Sequence, residues 1–349
     1  MRYGSVLASL VFAAVAAGST AEVTRVLTAT LPAPGGAPYT VENLAGTMQV
    51  RAADVTAPEV VATVHARDER LAQAVALRSS SGSTGRVVLQ VVYPLKGVRR
   101  VCYPHAAGSA RVEYGGRTVT VDDDSGVELW ADVEVRVPRE VGDATFRNLV
   151  GSLRAEGIEG QILLDAASGH IVARNVAGQV KADTGSGDVD ALGVRGSFTC
   201  DTGSGDCLVA EVDGDSLACD TASGDVRLRS VRVARLSADT GSGDVRASGV
   251  DLEEFRGDTG SGDIELANPG RRLRAVWADT GSGDVLLRLP PDASFQLRAD
   301  VGSGHIACRF PDAQPVHRRR ELIGYDRANG DTRIRVSIGS GTVEVEPVQ

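Results

Sequence analysis

Pairs of aspartates five residues apart are the side chains of this sequence best placed to do chemistry. Asp183 and Asp188 frame the turn Thr-Gly-Ser-Gly, and the frame returns as Asp201/Asp206, Asp220/Asp225, Asp239/Asp244, Asp258/Asp263 and Asp279/Asp284, with small changes inside it. Each frame gathers two carboxylates, a Ser hydroxyl and turn carbonyls. Such oxygen sets suit a divalent cation, and calcium takes about six to eight of them. The alternative is that each aspartate accepts backbone N–H groups around its own turn, as Asx turns do. Both readings stand on the sequence. The Gly-Gly-x-Gly-x-Asp spacing of calcium-binding nonapeptide repeats is absent, and no other cofactor is expected.

Other chemistries fit less well. The Ser-Gly turns form no Gly-x-Ser-x-Gly elbow between a strand and a helix, and no Gly-x-x-x-x-Gly-Lys phosphate loop occurs. His65, His105, His170, His305 and His317 are scattered, so they read as surface residues. Cys200, Cys207 and Cys219 fall at inward positions of neighbouring repeats. One disulfide among them is one reading and buried free thiols the other. A carboxylate pair repeated identically in every turn reads as structure, so no catalytic residue is assigned.

What must position these turns is a repeat of about one short coil. Counted from the first aspartate of each frame, copies start at Asp165, Asp183, Asp201, Asp220, Asp239, Asp258, Asp279 and Asp300, with a ninth at Ser337 and a worn one near Val150–Leu153. Positions −3 and −1, then +6 and +8, are apolar or small, as in Leu236, Ala238, Val245 and Ala247. Period two on both sides of a turn predicts two strands per coil. One coil cannot bury its apolar face alone, so coils must stack about 4.8 Å apart. Position +4 is always glycine, which a tight turn or close backbone approach demands. The zero and +5 aspartates then face outward in two files, and the threonines at +1 face inward. Like charges about 5 Å apart repel by roughly 1 kcal/mol even in water. Crowding should therefore raise some aspartate pKa values. Arg227, Arg246 and Arg298 are the nearby cations expected to soften the files.

The Asp-Thr-Gly-Ser-Gly-Asp-Val ladder, behind an export signal and a less regular β-rich leader, resembles the bacterial adhesin-like β-solenoid family of unknown function over most of residues 40–349. The resemblance implies a parallel β-solenoid on the envelope side and carries no catalytic residues with it. The fold expected is all-β: a parallel solenoid of about nine to ten short coils with an irregular N-terminal cap. Residues 1–21 read as a signal peptide, 22–140 as the β-rich capping region, and 141–349 as the repeats, with a loop insertion near 312–332. In the cap, residues 39–51, 59–65, 86–92, 117–121 and 127–137 read as strands, 67–77 as a short helix, and 95–116 as a loop; within the first, Asn43–Met48 looks like a worn coil.

The apolar run Val6–Ala17 after Arg2, with small residues before Glu22, carries the export reading. It places the protein in the periplasm or at the cell surface, with no transmembrane segment after cleavage. A net charge of −9 over 349 residues argues against nucleic-acid binding. The function expected is a non-catalytic structural or surface-binding scaffold whose partner is an envelope, glycan or protein surface. A calcium-dependent structural module is the first alternative, and a polysaccharide-active enzyme the second. Aromatic residues are only 4%, which speaks against an enzyme with aromatic sugar platforms.

Overall fold

Buried and exposed residues alternate along most of the chain, as in Glu59–Ala66 and Arg235–Ser242. Period two is the mark of a strand with one covered face. The described residues accordingly form 29 strands and one short helix. The computed structural model describes residues 23–31, 37–81 and 85–348. The signal peptide expected over 1–21 lies outside them. The chain divides into two compact units, Met1–Gly187 and Asp188–Gln349.

In the second unit, strands two apart in the chain pair in parallel and in register. Leu217 pairs with Leu236, Leu236 with Phe255, and Phe255 with Val276. On the other side of the turn, Val226 pairs with Val245 and Val245 with Ile264. These apolar columns are buried, Val226, Val245 and Ile264 completely. The −3/−1 and +6/+8 columns thus form the core, as the period predicts.

The order of the last coils departs from the sequence. The ninth copy does not stack at the end. Strand Thr332–Pro347 inserts between the Asp279 and Asp300 copies, pairing Asp279 with Ser337 on one side and Asp300 with Ser337 on the other. The segment read as a loop insertion over 312–332 is instead an antiparallel hairpin, Gln314–Arg318 with Glu321–Arg327. Its second strand pairs antiparallel with Phe295–Arg298. The physical reason is the open edge. A parallel sheet ends in unpaired N–H and C=O groups. The hairpin covers them on the last coil, fixed by Arg298, whose guanidinium donates to both carboxylate oxygens of Asp326 at 2.6 and 3.1 Å.

In the first unit, Glu159–Ser168 pairs in parallel with Ala177–Ser186 and with Glu140–Val150. The worn copy near Val150 is a true coil, and so is Tyr39–Ala52, in agreement with the worn coil read at Asn43–Met48. It turns at Gly46, and Met48 pairs with Leu153. The helix is shorter than expected, Glu69–Ala74, with the Asp68 side chain capping Leu71 N–H. Residues 95–116 are not all loop, since Arg100–Cys102 and Ala110–Tyr114 are strands. Strands Val23–Thr30 and Ala76–Ser81 escaped the sequence reading.

Glycine at +4 is required by stacking. A Cβ on Gly243 would lie 2.0 Å from the carbonyl oxygen of Gly224 one coil below. The second bend of the coil has its own device. Asn175, Gly193, Glu211, Ser230, Gly249 and Asn268, all at +10, take φ between 51° and 72°.

Candidate functional site

Three files of polar side chains run across the strands of the second unit, and each has a different role. The threonines at +1 are buried. Thr221, Thr240, Thr259 and Thr280 each donate to the +4 glycine carbonyl of the coil before, at 2.9–3.0 Å. In the first unit Asn148 does the same, donating to Gly46 O at 2.8 Å. A carbonyl left without a donor inside the turn would be costly, so this ladder is part of the fold.

The +5 aspartates form a second ladder. Asp188 accepts the backbone N–H of Asp206, Asp206 that of Asp225, Asp225 that of Asp244, Asp244 that of Asp263, and Asp263 that of Asp284, all at 2.8–2.9 Å. Asp284 in turn accepts from Thr342 at 2.7 Å. The bond therefore runs to the next coil, not around the residue's own turn. Thr342 pairs with His305, so the inserted strand lies between Asp284 and the +5 residue of the Asp300 copy. Arg227 bridges Asp206 and Asp225, and Arg246 pairs with Asp244 at 2.6 Å. Arg298, expected in the same role, is held by Asp326 instead. The amide of Asp225, aided by Arg227, holds the Asp206 carboxyl below the usual range. Crowding does not raise it.

The zero file behaves in the opposite way. Asp201, Asp220, Asp239, Asp258 and Asp279 pair coil to coil, while Asp183 belongs to the first unit and pairs with Lys181 at 2.8 Å. Partial burial raises the Asp239 and Asp258 carboxyls, and the flanking carboxylates add to it. Among the described residues neither carboxylate is ion-paired with an arginine or lysine. This is where the expected effect of crowding is found.

Beside this file lies a trench of about 440 Å³. Its floor is the −1 column, where Ala238, Gly257, Ala278 and Val336 are buried. One wall is Asp239, Asp258, Asp279 and Ser337; the other is Ser237, Arg256, Trp277 and Arg335. The two walls are two residues apart along each strand, about 7 Å. The Arg256 guanidinium lies over the Trp277 ring, 4.7 Å from its centroid. A second groove of about 650 Å³, between the Asp300 coil and the hairpin, shares Arg335 and Val336 with the first.

Sequence reasoning missed Arg256, Trp277 and Arg335. The −2 column holds Ser237, Arg256 and Trp277 in chain order, and parity places them outward. Arg335 joins them only because the ninth copy inserts next to the Asp279 coil.

Cys200 and Cys207 form a disulfide across one turn. Cys219, in the column of Cys200, is a buried free thiol, and burial pushes it up to about 12. Cys102 and Cys308 are also free.

A comparison with curated proteins finds no match. Among solved structures, the chain is similar to a protein named "putative lipid binding protein" from Parabacteroides distasonis (13% identity, 93% of this chain and 97% of that one, TM-score 0.41). It is also similar to one named "putative adhesin" from Parabacteroides merdae (13%, 93% and 96%, TM-score 0.37) and another from Bacteroides fragilis (8%, 93% and 97%, TM-score 0.37). Likenesses of this degree support no inference about a ligand or a role. Residues 112–346, well over half of the chain, match the family model of the Toastrack DUF4097 domain, and the protein belongs to that family.

Proposed function

We propose that this chain is an exported, non-catalytic binding protein, a parallel β-solenoid that holds one rigid face toward an envelope, glycan or protein surface. The observation that carries this reading is the division of labour among the files. The threonine and +5 aspartate ladders bond the backbone and hold the coils together. Asp239, Asp258 and Asp279 of the zero file stand exposed along one side of a trench, facing Ser237, Arg256 and Trp277 on the other. Raised carboxyls at Asp239 and Asp258 lower stability at neutral pH, and such local costs are found where a surface has work other than folding.

The test is binding of the labelled chain, from Glu22 onward, to isolated bacterial envelope fragments and to a glycan array, with assay of released reducing ends. Saturable binding without release is expected. Absence of binding to every surface overturns the proposal, and steady release of sugar reassigns the chain to an enzyme.

Calcium remains a second reading for the zero file alone, because among the described residues no arginine or lysine pairs with Asp239 or Asp258. A rise in melting temperature with millimolar calcium, lost in the Asp239→Asn/Asp258→Asn variant, would support it. An unchanged melting temperature sets it aside.

A further inference from the structure

We infer that the trench between the zero and −2 files is a binding site for an extended, uncharged polysaccharide chain that stacks one sugar ring on Trp277. This rests on the reading of the chain as a surface-binding protein and names the ligand class of its exposed face.

The shape of the trench comes first. Its walls are side chains at fixed columns of parallel strands paired in register from Ser237 through Trp277 to Arg335. It therefore runs across the strands, and a ligand lying in it passes one coil about every 4.8 Å. That step is close to the length one pyranose ring adds to an extended glycan. A linear polymer can thus meet the same pair of walls at successive rings.

The chemistry of the walls narrows the choice. Asp239, Asp258 and Asp279 offer acceptors, while Arg256 and Arg335 offer donors. Sugar hydroxyls can both donate to the first wall and accept from the second. The three carboxylates and two guanidinium groups nearly cancel, so neither a polyanion nor a polycation gains from the whole trench. A lipid chain would strip water from these charges without replacing it. A peptide strand finds no backbone partner either. The floor strands are paired on both edges, so their N–H and C=O groups are already used.

Trp277 supplies the platform. The sequence has two tryptophans. Trp130 is buried in the first unit, stacked on His65. Trp277 is half-buried, and the group over its ring is the exposed side chain of Arg256. A cation–π contact at an exposed site is weak. A sugar ring can displace the guanidinium from the indole and then hydrogen-bond to it. The floor beneath is low because the −1 side chains point into the core: Ala238, Ala278 and Val336 are buried, and a Cβ on Gly257 would meet the Phe255 ring at 2.9 Å.

The experiment uses cellohexaose, chitohexaose, maltohexaose and mannohexaose, with oligogalacturonate as the acidic comparison. Binding is read by calorimetric titration of the unaltered chain, and by Trp277 emission in a Trp130→Phe background. At least one neutral hexasaccharide is expected to bind and shift the emission. Trp277→Ala should weaken it at least about tenfold, the loss of one stacking contact. Asp258→Ala should weaken it as well, and oligogalacturonate should not bind. Binding unaffected by Trp277→Ala overturns the site, and preference for oligogalacturonate overturns the ligand class. If no neutral hexasaccharide binds while envelope fragments still bind equally to wild type and Trp277→Ala, the inference fails and the surface-binding reading stands. If wild type binds neither, both fail. Circular dichroism of each variant separates loss of binding from loss of fold.

Discussion

Asp244 accepts the backbone N–H of Asp263, one coil further on, at 2.8 Å. The relationship repeats along the +5 file and turns a row of like charges into a row of hydrogen bonds. Each carboxylate neutralises part of its neighbour's cost by fixing an amide that would otherwise need water.

Removing one member should therefore weaken the stack. Asp244→Ala is expected to destabilise the protein by about 1.5–3 kcal/mol, the range for a hydrogen bond to a charged group. Asp244→Asn keeps an acceptor oxygen and should lose less than half of that. Urea denaturation compares the three, and equal loss for Ala and Asn would show that charge matters more than the bond.

The two acidic files should respond to pH with opposite signs. The Asp239 and Asp258 carboxyls are raised, so the native state binds more protons than the unfolded state between the unfolded and folded pKa values. Their unfavourable contribution grows as pH rises through that window and is complete at neutral pH. Asp239→Asn/Asp258→Asn should raise the melting temperature at pH 7 and give no gain near pH ~3, below the unfolded carboxylate value. Asp206 is lowered, so its contribution is present above the unfolded value and is lost as pH falls through the folded one. Asp206→Asn should thus cost stability at pH 7. A melting temperature lowered at pH 7 by the double variant would contradict the assignment.

Backbone positions separate two uses of glycine. Gly243→Ala puts a methyl group 2.0 Å from a carbonyl oxygen that cannot move away, and should cost about 3 kcal/mol. Glu211 at the second bend holds φ at 56° without being glycine. Glu211→Gly should stabilise the protein by up to about 1 kcal/mol, because the left-handed strain outweighs the extra freedom of the unfolded chain. Thermal melts of both variants check the pair, and a loss of stability in Glu211→Gly would count against the strain argument.

The cysteines should differ sharply in reactivity. Cys219 is buried and its thiol is pushed up to about 12, so iodoacetamide at pH 8 should leave it unmodified until the chain is unfolded. The Cys200–Cys207 bond closes a short loop, and Cys200→Ala/Cys207→Ala is expected to lose about 2 kcal/mol. Mass mapping of alkylated peptides reads the first, and rapid labelling of Cys219 in the folded chain would refute it.

Much of the site was legible by counting columns. Parity put Thr240 inside and Asp239 and Asp244 outside, and the structure agrees. Parity could not say where a carboxylate oxygen goes. The Asx-type reading sent it around its own turn, whereas stacking brings the next coil's amide closer. Trp277 passed unnoticed because one aromatic residue in a column of mixed composition carries no periodic signal.

By itself the sequence determined the coil: its length, its two strands, its apolar columns and its glycine turn. These follow from local geometry, since a period of two and a residue without Cβ leave few conformations open. Only the tertiary structure decided the order in which the last coils stack. Pairing in a parallel sheet is non-local, and the Ser337 copy matches either neighbour in register. The hairpin Gln314–Arg327 settles the choice by occupying the outer edge of the Asp300 coil, which leaves the inner edge for strand Thr332–Pro347. That insertion places Arg335 beside Trp277 and completes the trench.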